Sequence, residues 1–382
     1  MPTLRLEVVN DPDAMVLMRG QIEALCEDLC EPNVFYEPWM LIPALRQLGE
    51  GETFRFLCLY EAKGSGRLCG FFPLVRSVLH QQLPLPAYGL WQHSQCFRCT
   101  PLIRQGFAER CWQGVFAWLA GEPAHRRLLR LKPLPANGPV SRALHQILER
   151  TPSLGHVATL HETAFLRISE SGDAALRRAM SSKTQATLRR KQRRLQDDGE
   201  VTIHELADEP DLSGSIEEFL RLEASGWKGN AGTALAAKAN EAEFFRQVIS
   251  EARRRNRLSL LCMRQDGRMI AGRSVLLAAP GSYVFKIAFD ESLSRFSPGL
   301  LLEMEEVRRL HDPNDPRHAR ITWSDSCAAP DNGPFYRCWP ERETMAELRL
   351  TSGWGPHRLA VTLWPLLHGA KRALRRVSGL TG

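Results

Sequence analysis

The sequence predicts an α/β (α+β) fold built from two domains, each a mixed central sheet flanked by helices. Three observations carry that reading. At 382 residues, 43% hydrophobic and 24% charged, the chain is long enough for two full cores and ordinary in composition for a globular protein. The second half runs through three consecutive apolar strand-like segments, a glycine-containing turn and an amphipathic helix, with further strands after it. A faint internal repeat points to two copies of one unit. Leu57-Cys58-Leu59-Tyr60, a polar turn and Gly66-Arg67-Leu68-Cys69-Gly70 are echoed by Leu260-Leu261-Cys262-Met263, a turn and Gly267-Arg268-Met269-Ile270-Ala271-Gly272.

Taken in order, Leu4 to Val9 reads as a strand and Ala14 to Leu29 as a helix. An aromatic turn, Asn33 to Met40, leads into a helix from Leu41 to Leu48. Strands follow at Phe54 to Tyr60 and Leu68 to Leu79. Gln82 to Thr100, rich in Pro, Gly and aromatics, reads as loop with short strands. Phe107 to Leu119 and Ser141 to Arg150 are helical, with a strand at Arg127 to Lys132 between them. One very basic helix is expected through Leu176, Met180, Leu188 and Leu195, with eight Lys and Arg between Arg177 and Arg194 and no acidic residue among them. A solvated charged face is the plain reading of such a run; a phosphate-rich substrate, nucleic acid or anionic lipid is the functional one. The later expectations are strands at Val201 to Leu206, Leu258 to Met263, Met269 to Ala278, Tyr283 to Phe289, Arg320 to Ser324 and Met345 to Leu350. Helices are expected at Leu212 to Ser225 and Glu241 to Arg255.

The net charge of +7 favours an anionic ligand or surface without naming one. No run of about 18 apolar residues suits a membrane-spanning helix, and Met1 to Gly20 lacks the apolar segment of a signal peptide. The ten cysteines sit in apolar segments, as reduced buried cysteines of a cytoplasmic protein do. His93, Cys96 and Cys99 lack the second ligand pair of a tetrahedral zinc site, so no metal is expected.

The densest site signal is Lys286 to Leu302. An apolar strand runs into Arg295-Phe296-Ser297-Pro298-Gly299, and Leu300, Leu301, Met304 and Val307 then share one helical face. Pro298 sets the φ of a first helical residue, and Gly299 lets a ligand approach the backbone. Strand, glycine turn and helix N-terminus together make a place for a phosphate; an ordinary connection is the alternative. Lys286 stands inside the apolar strand, where its charge requires Asp290, Asp325 or a ligand as partner. Simple alternation puts Val284, Lys286 and Ala288 on one face and Tyr283, Phe285 and Ile287 on the other.

Several strings together resemble the CelD-like acetyltransferase branch of the GNAT superfamily, itself distantly similar to FemABX aminoacyl transferases. They are NVFYEPWM (Asn33–Met40), SGWKGNAGTAL (Ser225–Leu235), FKIAFDESLSRFSPGLLLE (Phe285–Glu303), DSCAAPDN (Asp325–Asn332) and CWPER (Cys338–Arg342). The resemblance implies tandem GNAT-like folds. These would be an N-terminal domain without a cofactor site at 1–168, a C-terminal acyltransferase domain at 169–352 and a basic tail at 353–382. It implies an enzyme that moves an acyl group directly from acetyl-CoA or another acyl-CoA to an amine or hydroxyl acceptor in polysaccharide or envelope metabolism. The rival readings are transfer from an aminoacyl-tRNA and a non-catalytic scaffold in a polysaccharide assembly. A cytoplasmic location is implied, with the basic tail suited to the inner face of an anionic membrane.

On that resemblance Arg295, Ser297, Gly299 and Leu300 are the cofactor-binding residues, although the turn departs from the usual GNAT pattern of paired glycines. Trp227, Lys228 and Thr233, on a glycine-broken loop, and Ser326 and Cys327, after a strand end, border the acceptor. Asp325 is the candidate general base. Tyr336 is the candidate proton donor to the departing thiolate, and Lys286 completes the catalytic set.

Overall fold

The computed structural model describes residues 4–62, 66–80, 83–151, 154–328, 333–352 and 361. The expected tail therefore lies outside the described residues save Val361, as do 329–332 of the DSCAAPDN string.

The chain begins with β1 (Leu4–Val9), α1 (Pro12–Leu17), α2 (Arg19–Cys26) and α3 (Pro38–Leu48). It continues through β2 (Phe54–Glu61), β3 (Leu68–His80), β4 (Leu83–Leu90), the short β5 (Leu102–Ile103) and α4 (Ala108–Gly121). Next come β6 (Leu128–Pro135), α5 (Pro139–Arg150) and β7 (Leu154–Arg167). The expected basic helix is two helices, α6 (Gly172–Ala179) and α7 (Ser182–Asp197). Ser181 breaks the run by taking extended backbone and capping α7, its hydroxyl accepting from the Thr184 N–H at 3.2 Å. Then follow β8 (Val201–Glu205), α8 (Ser213–Ser225), the one-turn α9 (Trp227–Asn230) and α10 (Ala239–Arg254). The hairpins β9 (Leu258–Gln265), β10 (Arg268–Ala278) and β11 (Gly281–Phe289) lead to α11 (Pro298–Leu310), β12 (Trp323–Asp325), α12 (Gly333–Cys338) and β13 (Glu341–Ser352).

The chain divides into two compact units. Unit 1 comprises the stretch to Pro38, Gly51–His161 and the chain from Thr344; unit 2 comprises Trp39–Glu50 and Glu162–Glu343. In unit 1, β1, β2, β3 and β4 pair antiparallel in order, β6 pairs parallel to β4, and β13 pairs antiparallel to β6. Unit 2 repeats the scheme. There β8, β9, β10 and β11 pair antiparallel in order, β12 pairs parallel to β11, and the end of β7 pairs antiparallel to β12. The faint repeat in sequence thus falls on equivalent hairpins, β2–β3 and β9–β10.

Within unit 2, α11 supplies most of one core layer. Leu300, Leu301, Leu302, Met304 and Val307 pack with Val284, Val275 and Ile270 of the sheet and with Leu188 and Leu195 of α7. On the other face of the sheet, Phe285 of β11 lies against Phe244 and Phe245 of α10, at ring centroid distances of 6.4 and 6.0 Å. Among the described residues, no helix is long and apolar enough to cross a membrane.

Candidate active site

Two backbone irregularities open the middle of unit 2. The parallel ladder between β11 and β12 has three pairs, Gly281 with Trp323, Ser282 with Ser324 and Tyr283 with Asp325. There β12 ends, while β11 runs on to Phe289. Immediately past the parting point, β11 bulges. Val275 of β10 faces Val284 and Ser274 faces Lys286, so Phe285 is the inserted residue. A bulge bends its strand and re-aims the side chains that follow.

The bulge corrects the alternation expected from sequence. Val284 belongs to the core under α11, and Ile287 and Phe289 pack against that same core. Phe285 and Lys286 share the opposite face, with the Lys286 ammonium 5.7 Å from the centre of the Phe285 ring. The charges around Lys286 include those of Glu223, Lys228 and Glu241. Burial pulls its ammonium down to about 8, the two carboxylates hold it up, and Lys228 pushes it down. Asp290 instead pairs with Arg268 at 2.7 Å.

Under α11, at the end of β11, lies a cavity of about 220 Å³. Ser297, Gly299 and Leu300 line it, together with Ile287, Phe289, Leu302 and three charged groups, Arg273, Glu303 and Arg337. Three of the four expected cofactor residues therefore meet at one opening. Arg295 is not among the lining residues; it is largely exposed, over the Phe296 ring and 3.4 Å from Asp198. Ser297 holds left-handed backbone (φ 59°, ψ 50°), unusual for a residue with a Cβ. Its hydroxyl accepts from Lys191 Nζ of α7 at 2.8 Å. Pro298 has no N–H, and the N–H groups of Leu300 and Leu301 both donate to the Ser297 carbonyl, at 3.0 and 3.1 Å. The first turn of α11 therefore offers a ligand mainly the Gly299 N–H, with Lys191 beside it. A Cβ on Gly299 would stand 3.2 Å from the Phe289 ring.

Arg273 and Glu303, 2% and 3% exposed, form a buried ion pair at 2.5 Å. Trp339 Nε1 donates to the second Glu303 oxygen at 2.7 Å. Among the described residues, Arg273 Nε and Nη2 have no hydrogen-bond partner. Burial pushes the nearby Glu306 carboxyl up, toward its neutral form. Neither Arg273 nor Glu303 was expected as a site residue. The signal was available: an arginine inside the apolar run Met269 to Ala278 demands a buried counter-charge as strongly as Lys286 does.

The remaining expected residues surround the parting strands without joining the cavity lining. Lys228 donates to Glu223 at 2.8 Å and to the Ile287 carbonyl of β11 at 3.1 Å, so its ammonium is tied to the open stretch of that strand. Thr233 folds back onto the Lys228 carbonyl through its N–H (2.8 Å) and hydroxyl (3.3 Å). Trp227 is 60% exposed, its N–H donating to Glu291 at 2.7 Å. Asp325 is buried and accepts from the Cys327 N–H at 2.8 Å, closing a turn in which Cys327 has φ 50°. Ser326 is buried, its hydroxyl accepting from the Ala328 N–H at 3.3 Å. Tyr336 donates to the Glu162 carbonyl at 2.8 Å, under the Arg342 guanidinium. Among the described residues, no group of three or more His, Cys, Asp or Glu is arranged to hold a metal ion.

Residues 182–318 match the family model described as an acetyltransferase (GNAT) domain. No curated protein matches the chain in sequence. Among solved structures, the chain is similar to FemX, with 10% identity over 89% of this chain and 96% of that one and a TM-score of 0.54. It is similar at the same TM-score, 0.54, to a conserved protein of unknown function from Bacteroides thetaiotaomicron VPI-5482, with 13% identity over 91% of this chain and 100% of that one. A tandem GNAT protein from the clavulanic acid biosynthesis pathway aligns with 14% identity over 92% of this chain and 99% of that one, at a TM-score of 0.45. The stretch from α7 to the loop before β12, which contains the bulge, the turn and all of the cavity lining but Arg337, thus matches an acetyltransferase (GNAT) domain.

Proposed function

We propose that unit 2 moves an acyl group from an acyl-CoA thioester directly to an amine or hydroxyl acceptor. The observation that carries this is the parting of β11 and β12 after three pairs, next to the bulge at Phe285 and the cavity under the Ser297–Leu300 turn. Parted strands expose backbone groups that can hold the amides of a pantetheine arm. The Gly299 N–H and the Lys191 ammonium supply charge-assisted donors for a pyrophosphate. Lys286, near neutrality above pH 8, and Asp325, at the end of β12, are the groups we assign to proton transfer from the acceptor. Tyr336 is assigned to the departing thiolate. Trp227, Lys228 and Thr233 form the acceptor-side loop, with Lys228 holding β11 open, and Ser326 and Cys327 border the same side. The five strings quoted above favour a CelD-like acceptor, saccharide-linked and associated with the cell envelope.

A second reading, transfer from an aminoacyl-tRNA, is favoured by α6 and α7. Of their eight cations, Arg178 alone pairs with acidic groups, Glu170 and Glu341, among the described residues. Thermal-shift assays with acetyl-CoA, longer acyl-CoAs and charged tRNA separate the readings. Stabilisation by a CoA ester, lost in Gly299→Glu, is the expected result. Stabilisation by charged tRNA alone would transfer the assignment to the second reading, and a shift unchanged in Gly299→Glu would move the CoA site elsewhere.

A further inference from the structure

We propose that the cavity under the Ser297–Leu300 turn selects an acyl donor whose acyl chain ends in a carboxylate, with Arg273 as its receptor. The inference rests on the acyl-CoA reading and deepens it. Arg273 is 2% exposed and lines the cavity. Its single hydrogen-bonded partner among the described residues is Glu303, bonded through Nη1, and Glu303 has its other oxygen filled by Trp339. Among the described residues, Nε and Nη2 remain without an acceptor. These two N–H groups lie along one edge of the planar guanidinium and point the same way, which is the fork that matches the two oxygens of a carboxylate. The rings of Phe335 and Trp339 flank the guanidinium at 5.8 and 5.9 Å but present π faces rather than lone pairs.

Charge points the same way. Two cations, Arg273 and Arg337, line the cavity against one carboxylate, that of Glu303, which is already bonded. Apart from Ser294 and Ser297, the other walls are apolar or glycine, so an anionic tip would meet a guanidinium in a place with little competing water. A short alkyl acyl group would leave the fork unanswered. In the transfer itself, the acceptor nitrogen or oxygen forms its bond to the acyl carbon as the C–S bond breaks. The proton lost by the acceptor ends on the CoA sulfur, and the distal carboxylate is unchanged.

The test is isothermal titration of the full chain with acetyl-CoA, butyryl-CoA and succinyl-CoA, the last two differing chiefly at the tip of the acyl chain. Succinyl-CoA is expected to bind at least about tenfold more tightly than butyryl-CoA. The paired variant Arg273→Met with Glu303→Gln, which removes both buried charges together, is expected to abolish that preference. Equal or weaker binding of succinyl-CoA, with acetyl-CoA still bound, overturns the inference alone. Failure of every CoA ester to bind overturns the acyl-CoA reading along with it. The comparison on the unaltered chain decides even where the paired variant does not fold.

Discussion

Lys286 illustrates how one inserted residue resets a site. Alternation assigned it to the wrong face because a bulge is a property of the pairing between β10 and β11, invisible in β11 alone. Its lowered proton affinity carries a stability consequence with a definite sign. Between about pH 8 and its ordinary value of 10.5 the unfolded chain holds the Lys286 proton and the folded one does not. Raising the pH through that window therefore adds stability. Denaturation midpoints of the unaltered chain and Lys286→Met, compared from pH 7 to 10.5, should show the unaltered chain gaining on the variant above pH 8. A constant difference would mean that the lysine is not desolvated. At Gly229 the demand is steric, since a Cβ would stand 1.8 Å from the Ala224 carbonyl oxygen. Gly229→Ala should cost about 3 kcal/mol by urea denaturation and disturb the Trp227–Thr233 loop. Arg273→Met alone, which leaves Glu303 buried and unpaired, should cost about 3–5 kcal/mol, and adding Glu303→Gln should recover part of that.

Among the elements, α7 joins the basic run to the turn before α11. Lys191 on α7 reaches Ser297, so part of a face that reads as merely solvated is in contact with the cavity wall. On the acyl-CoA reading, Lys191→Gln should raise the Kd for acetyl-CoA about fivefold at low salt, the gap closing by about 0.5 M salt as exposed charges are screened. A gap independent of salt would assign Lys191 a purely structural part. How much was legible in sequence also differs by element. β1, β2, β3, α4, α8, α10 and β9 to β11 follow clear periodicity and fall within a few residues of expectation. β7 was missed because its middle, His156 to Glu162, mixes Val157, Ala158 and Leu160 with polar residues out of strict alternation and is mostly exposed. The turn residues Ser297, Gly299 and Leu300 were readable from Pro-Gly chemistry ahead of an amphipathic run. The charged cluster of Glu223, Lys228, Lys286 and Glu241 was not, because its members converge from α8, α9, β11 and α10, separated in the chain and joined only by the fold.

For the whole molecule, ligand binding and unfolding are linked. Acetyl-CoA at about 100 times its Kd should stabilise the chain by about 2.7 kcal/mol, read as a rise in denaturation midpoint. No rise at any concentration would argue for the non-catalytic scaffold. The two units carry the same strand scheme, yet unit 1 takes its sixth strand from far beyond its main run of chain, while unit 2 takes its own from the very start of its run. β7, which follows the unit 1 elements, completes the sheet of unit 2 beside β12; β13, which follows the unit 2 elements, completes that of unit 1 beside β6. A cut at 168 should accordingly leave both pieces with bare sheet edges and prone to aggregate. The order of translation then sets the order of maturation. Unit 1 is synthesised first, yet it waits with an open edge until Thr344 and its successors leave the ribosome. Unit 2 has the end of β7 in hand before most of the rest of it is made. The acyltransferase half can therefore close first, and the half that leads the chain is the last to be finished.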